Sequence, residues 1–118
     1  MTDSEKTSSP FAEQLTPPYY AVIFSSFRTE EDNDYAATAE RMVSLASSMP
    51  GYLGIESARD SMGFGITVSY WRDETSIAAW RNHVEHLIAQ ERGKREWYHH
   101  YELRIARVEK SWSGPEGR

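Results

Sequence analysis

Four side chains in the second half of this sequence are the best candidates for chemistry, and they recur at helical spacing. They are Trp80, His83, His86 and Gln90. A histidine titrates near neutral pH and can act as a general base, and a tryptophan offers a flat wall to an aromatic ligand. The spacing therefore predicts one wall of a pocket, formed by Trp80 and Gln90, with His83 or His86 as the catalytic base.

Each of these candidates also has a structural interpretation. Trp80 lies on the apolar side of an amphipathic pattern and could serve only as a core aromatic. Two histidines three positions apart share one helix face, which is equally typical of a solvated surface. As metal ligands His83 and His86 lack a third partner, because Glu85 and Gln90 support such a site poorly. We therefore predict no metal site.

An apolar cleft beside such a base would keep bulk water away from a bound ligand. Two aromatic residues outside the helix are predicted to contribute to such a cleft. Phe24 lies in the first predicted strand and Tyr70 in the third.

The elements that position these residues alternate between the two hydrophobic periods. Strand patterns cover residues 19–27, 52–60, 64–71 and 100–112, and helical patterns follow residue 34 and the capping residue Asp73. The first helical pattern has one apolar stripe that begins at Tyr35. The second predicts a single helix up to Gly93, with an apolar stripe on its core side formed by Ile77, Trp80, Val84, Leu87 and Ile88. The resulting order, βαββαβ, predicts an α+β, ferredoxin-like fold with an antiparallel sheet. Residues 1–18 are predicted to be a flexible N-terminal arm, residues 19–112 the single domain, and residues 113–118 a C-terminal tail.

The last strand pattern is longer than an ordinary strand of ~5–6 residues. Its apolar residues change phase, which predicts a β-bulge near Arg107. A strand of this length extends past a four-stranded sheet, so we expect its far half to pair with another subunit. The sequence thus predicts a homodimer.

Composition excludes several classes of protein. Of the 118 residues, 13 are Lys or Arg and 18 are Asp or Glu, and the net charge of −5 argues against nucleic acid as the main partner. The absence of Cys excludes disulfides, thiolate metal sites and cysteine nucleophiles. No apolar run is long enough to act as a signal peptide or to cross a membrane. We expect a cytoplasmic protein with no membrane partner.

Four stretches of this sequence resemble the antibiotic biosynthesis monooxygenase (ABM) domain family. They are PGYLGIESARD, GFGITVSYWRDETSIAAWRNHVEHLIAQ, REWY and YELRIARVEKSW. The similarity is strongest to small stand-alone bacterial members described as haem-degrading or stress-related monooxygenases. It implies a dimeric α+β barrel with two sheets face to face, a long C-terminal strand that reaches the partner, and a cleft between helices and sheet.

The resemblance also implies two kinds of chemistry. Quinone-forming members oxidise polycyclic phenols with O₂ and need no prosthetic group, whereas haem-degrading members use their substrate haem to activate oxygen. The latter carry an Asn on the first strand, a Trp on the second helix and a His three turns later. Trp80 matches, but Phe24 or Ser25 stands at the Asn position and Gln90 at the His position.

The sequence therefore favours a small monooxygenase that acts on a hydrophobic aromatic substrate of phenolic or quinol type, with no bound prosthetic group. Two alternatives stay open. One is a haem-binding or haem-degrading protein, with haem as ligand or substrate. The other is a non-catalytic ligand-binding or stress-associated dimer of the same fold.

Overall fold

The strands and helices follow one another in the predicted order. The computed structural model describes residues 9–13 and 15–115. Its elements are β1 (Tyr19–Arg28), α1 (Tyr35–Ser47), β2 (Tyr52–Arg59), β3 (Phe64–Trp71), α2 (Glu74–Arg81), α3 (Val84–Arg92), a π-helical turn (Gly93–Trp97) and β4 (Tyr98–Val108). The four strands form one antiparallel sheet in the order β2-β3-β1-β4. This confirms the α+β, ferredoxin-like prediction.

One face of the sheet lies under the helices and holds the core. Trp71 is fully buried there and packs with Ala46 of α1 and with Ile77 and Trp80 of α2. Because side chains alternate along a strand, Val22 and Phe24 of β1 project from the same face as Trp71. Deleting a buried Trp costs about 3–5 kcal/mol, so Trp71 is a main anchor of this core.

The other face of the sheet, which we call the open face, is covered only at one end. There Tyr19 is 7% exposed, and the backbone N–H of Ala12, in the predicted arm, donates to Glu56 Oε2 at 3.0 Å. At the other end Phe27, Phe64 and Ile66 are 45%, 41% and 41% exposed. Residues 1–8 and 14 of the predicted arm and residues 116–118 of the predicted tail lie outside the described residues.

The single helix predicted after Asp73 is two helices. Asp73 caps α2 as predicted, because its Oδ1 accepts from the Ser76 N–H at 2.8 Å. The chain then leaves the helix at Asn82 and at His83, whose φ and ψ of −63° and 135° are extended. None of the helices in the described ranges is long and apolar enough to cross a membrane.

The break turns α3 so that a different set of residues faces inward. Leu87 and Ile88, which the periodicity placed on the core side, are 46% and 59% exposed. The residues that line the interior are His86, Ala89 and Gln90. The predicted apolar stripe is therefore wrong for α3, since a stripe extrapolated from α2 holds only along an uninterrupted helix.

The β-bulge predicted near Arg107 is wrong, whereas pairing of the last strand with another subunit stays a prediction. β4 pairs with β1 of its own chain from Tyr19↔Val108 to Arg28↔Tyr98 and lies at the edge of the sheet, so its other edge has no strand partner among the described residues. The register is continuous around Arg107 and shifts only between Phe27 and Arg28, where His99 is the extra residue. The apolar residues change phase because the two faces of β4 are covered differently along its length.

Candidate functional site

A cavity of about 380 Å³ lies between the helices and the sheet. This volume falls in the range of small-molecule sites, which is ~300–1,000 Å³. Its floor is the helix-covered side of the strands, and its roof is built by all three helices and the π-helical turn. The principal lining residues, in chain order, are Val22, Phe24, Tyr35, Met42, Ile55, Thr67, Ser69, Ile77, Trp80, His86, Gln90, Trp97, Tyr98, Tyr101 and Leu103. Most of this surface is apolar or aromatic.

Trp80 and His86 form the centre of one wall. Their rings stack with centroids 4.1 Å apart and planes at 16°. Trp80 is in turn stacked on the buried Trp71 at 6.4 Å. On a continuous helix, residues six apart lie ~9 Å apart along the axis and on different faces. The break at Asn82–His83 is what allows the two rings to meet.

The protonation of His86 follows from its neighbours. Its Nδ1 lies 3.0 Å from the carbonyl oxygen of Trp80, and a carbonyl can only accept. We therefore assign the proton of the neutral ring to Nδ1, since the Trp80 carbonyl lies closer to it than Gln90 Nε2 does at 3.4 Å, and this leaves Nε2 as the basic atom. Burial lowers the pKa of His86 from its usual value near 6.5, partly opposed by the bond to Trp80. The ring is thus held neutral and ready to accept a proton at neutral pH.

His83 is placed differently from the prediction of a cleft residue. Its Nδ1 accepts from the backbone N–H of Glu85 at 3.2 Å, so the side chain caps the N-terminus of α3. It lies tilted against Trp80 at 5.9 Å but is not among the residues that line the cavity. His83 is therefore a structural neighbour of the cavity wall, and only His86 lines the cavity.

Of the predicted substrate-binding residues, Trp80, Gln90 and Phe24 line the cavity. Gln90 Nε2 donates to the carbonyl of Arg81 at 3.1 Å, which joins α3 back to α2 across the break. Tyr70 projects from the open face, and its hydroxyl donates to Glu56 Oε1 at 2.7 Å. Burial and this bond raise the pKa of Tyr70 to about 12. Tyr70 is therefore outside the cavity, because β3 presents Thr67 and Ser69 to it instead.

The sequence did not single out a group of tyrosines at the far end of the cavity. Tyr35 begins α1 and Tyr98 begins β4, and their hydroxyls lie 3.4 Å apart. Phe24 packs edge-to-face on Tyr98, with ring centroids 5.2 Å apart. The sequence contains both residues, Tyr35 at the start of the apolar stripe of α1 and Tyr98 in the REWY stretch. Neither pattern indicates that the start of α1 and the start of β4 lie next to each other.

No cluster of three or more His, Cys, Asp or Glu side chains with metal-binding geometry occurs within residues 9–13 and 15–115. The polar and basic groups that line this cavity are the imidazole of His86, the side chains of Arg81, Gln90 and Lys94, and the hydroxyls of the tyrosines, serines and threonines. Such a set can move a proton and bind oxygen atoms of a ligand.

Comparison with known proteins adds to this geometry. The family model of the antibiotic biosynthesis monooxygenases matches residues 18–92. An uncharacterized protein, YqjZ of Bacillus subtilis, is 55% identical over 94 residues, which cover 80% of this chain and 82% of YqjZ. The jasmonate monooxygenase ABM of Pyricularia oryzae is 31% identical over 94 residues, which cover 75% of this chain but 43% of that protein.

The fold is also similar to solved structures of low sequence identity. SnoaB of Streptomyces nogalater, described as a cofactor-independent oxygenase, superposes with a TM-score of 0.69 and 8% identity over 80% of this chain and 97% of SnoaB. Rv0793 of Mycobacterium tuberculosis superposes with a TM-score of 0.70 and 11% identity over 80% of this chain and 99% of that one. These likenesses establish the shared fold.

Proposed function

The chain belongs to the antibiotic biosynthesis monooxygenase family, and on that premise we propose that it is a small monooxygenase acting on a hydrophobic aromatic substrate. The substrate is a phenol or quinol, and the reaction uses O₂ with no bound prosthetic group. The cavity of about 380 Å³ binds the ring system between the helices and the sheet. Trp80 forms the stacking wall, with Phe24 and Gln90 beside it.

In the proposed reaction His86 is the general base. Its Nε2 takes the phenol proton, and the resulting anion transfers one electron to O₂. Recombination of the two radicals forms a C–O bond, and the peroxide then loses water to give the quinone. One oxygen atom enters the product and the other leaves as water, with two hydrogens removed from the substrate. The apolar lining keeps bulk water from the intermediates.

The observation that carries this proposal is the neutral His86 ring stacked on Trp80 in the wall of an apolar cavity. A general base works best when it is unprotonated at the working pH, and burial of His86 provides that state. SnoaB, described as a cofactor-independent oxygenase, supports the absence of a prosthetic group in the proposal. The name of the jasmonate monooxygenase supports oxygenation of a hydrophobic small molecule.

The test is oxygen consumption with a panel of polycyclic phenols and hydroquinones in buffer treated with chelator. We expect turnover by the wild type and a loss of at least ~100-fold in kcat/KM for His86→Ala, the usual contribution of a general base. His100→Ala is the matched control, because His100 is an exposed histidine of β4 whose Nε2 lies 2.8 Å from Glu102 Oε2. If His86→Ala retains wild-type turnover, the proposed mechanism is wrong.

Two further measurements on the wild-type protein test the two alternative functions. A haem-binding protein would develop a Soret band on titration with haemin, and a haem-degrading one would lose that band with reductant and O₂. A non-catalytic dimer would bind ring compounds in the cavity without consuming oxygen. We favour the phenol oxygenase, because Gln90, at the position of the haem-degraders' histidine, already donates to the carbonyl of Arg81.

We further propose that the protein is a homodimer formed through the open face of the sheet. Phe27, Phe64 and Ile66 are large apolar side chains exposed there, and Phe27 and Phe64 pack edge-to-face at 5.6 Å. A contiguous exposed apolar patch on a small domain is typical of an interface. A second copy placed on this face would cover it without occupying the cavity.

A further inference from the structure

Two tyrosine hydroxyls in contact with each other are among the polar groups that line the cavity. Both Tyr35 and Tyr98 line the cavity, and the Tyr98 hydroxyl donates to the Tyr35 oxygen at 3.4 Å. A tyrosine hydroxyl has one hydrogen to donate. Because Tyr98 donates to Tyr35, the hydroxyl hydrogen of Tyr35 remains for another acceptor, and none is found among residues 9–13 and 15–115.

The ring of Tyr35 is held in place from several sides. The guanidinium carbon of Arg28 lies 3.5 Å from the Tyr35 ring centroid, and Arg28 Nε donates to the carbonyl of Trp97 at 3.2 Å. The rings of Trp97 and Tyr98 pack edge-to-face on Tyr35 at 5.6 and 5.9 Å. A donor fixed in this way loses little entropy when it binds a ligand.

The tyrosine pair and His86 line the same cavity. Tyr98 pairs with Arg28 at the end of β1, and Phe24 packs edge-to-face on Tyr98 with ring centroids 5.2 Å apart. Val22 and Phe24 belong to the apolar floor of this cavity. A ligand on this floor therefore has both an imidazole and tyrosine hydroxyls among its surroundings.

The Tyr98 hydroxyl keeps its proton over the working pH range. Burial, and then the bond to Tyr35, raises the pKa of Tyr98 well above its usual value near 10. A protonated phenol donates to a carbonyl or hydroxyl oxygen and gains strength as negative charge develops on that oxygen.

We propose that the Tyr35 hydroxyl, oriented by Tyr98, binds an oxygen atom of the substrate, so that the substrate carries a second oxygen besides the one that faces His86. This inference rests on the proposed function, since it names the substrate class of the same cavity. One oxygen is the phenol that faces His86, and the second is a hydroxyl or carbonyl that accepts from Tyr35. A ring system with a single oxygen leaves the Tyr35 hydroxyl without a ligand acceptor. A binding site discriminates against ligands that leave one of its polar groups unpaired.

The test is calorimetric binding under nitrogen of two probes, 2,6-dihydroxynaphthalene and 2-naphthol, near pH 7. The absence of O₂ prevents turnover, so the result does not depend on catalysis. We expect the wild type to bind the dihydroxy probe roughly three- to tenfold more tightly, the usual effect of one neutral hydrogen bond. Tyr35→Phe, which keeps the ring and its contacts, reduces this preference to within about twofold.

Tyr52→Phe is the matched control, because Tyr52 is a partly buried tyrosine that packs on Trp71 and is not a lining residue of the cavity. It retains the wild-type preference. The inference is overturned if Tyr35→Phe keeps that preference, if the wild type shows none, or if neither probe binds. A preference that persists in a protein without oxygen consumption supports this inference and rejects the proposed oxygenase activity.

Discussion

At the scale of single residues, the structure separates two histidines that the sequence could not distinguish. His83 and His86 are three positions apart and carry identical rings, yet one caps a helix and the other stacks on Trp80 in the cavity wall. The difference lies in the backbone. His83 has extended dihedral angles at the start of α3, whereas His86 is in its first turns and turns inward.

Burial of His86 predicts a pH dependence of stability. Its pKa in the folded protein is below the usual 6.5, so above pH 6.5 the ring is neutral in both states and has no effect. As pH falls below 6.5, the unfolded chain takes up the proton before the folded chain does, and stability decreases until the folded pKa is reached. Urea unfolding of the wild type and of His86→Gln at pH 7.5 and at pH 5.5 measures this.

We expect the stability of the wild type, relative to His86→Gln, to be lower at pH 5.5 than at pH 7.5. Tyr52→Phe, which removes no histidine, should retain the wild-type dependence. The acidic limb of kcat/KM should also have its midpoint below pH 6.5. Equal pH dependence in the wild type and His86→Gln would contradict the assignment of His86 as the buried neutral base.

At the scale of elements, the break between α2 and α3 determines which residues line the cavity. The apolar periodicity of the sequence runs through Asn82 and His83 without interruption, so it predicted one helix. In the structure α2 ends before His83, and the His83 side chain accepts from the Glu85 N–H at the start of α3. The result is that Leu87 and Ile88 are exposed and His86 and Gln90 face inward.

The capping role of His83 can be tested by changing the cap alone. His83→Ala removes the acceptor of the Glu85 N–H and should lower the free energy of unfolding by about 0.5–1 kcal/mol. His83→Ser provides a preferred capping oxygen and should not lower it. Denaturant unfolding measures both, and the oxygen consumption of the folded variants should equal that of the wild type. If His83→Ser is as inactive as His86→Ala, His83 and not His86 alone is required as the catalytic base.

At the scale of the whole molecule, the two faces of the sheet have different roles. One face is covered by helices and holds both the core and the cavity. The open face is closed at the Tyr19 end by the N-terminal segment around Ala12 and exposed at the Phe27 end. β4 pairs with β1 along one edge over its whole length, and because it is an edge strand its other edge is where the predicted partner strand would add.

The open face predicts the oligomeric state and its disruption. Each chain has a mass of 13.6 kDa, and light scattering at micromolar concentration should give twice that value for the wild type. Ile66→Glu places a charge in the middle of the exposed apolar patch and should shift the mass to that of one chain. Met62→Glu, in the exposed turn between β2 and β3, is the control. A wild type with the mass of a single chain would contradict the proposed dimer.

Much of the fold was determined by the sequence alone, because hydrophobic periodicity is a local property. The alternation of strand and helix patterns gave the βαββαβ order, and residues 64–71 were assigned as a strand with the bounds observed. The Asp73 cap was readable for the same reason, since an acidic residue before a helix accepts an N–H three positions later. Trp80 was identified as a wall residue because it lies in α2, before the pattern is broken.

Only the tertiary structure decided the arrangement of the site. The meeting of Tyr35 with Tyr98, 63 positions apart in the chain, depends on how α1 and β4 pack on one sheet. The choice of His86 over His83 depends on a break that leaves the apolar period unchanged, and the exclusion of Tyr70 depends on which face of β3 the helices cover. Periodicity identifies the faces of an element, but the geometry between elements decides which face meets the ligand.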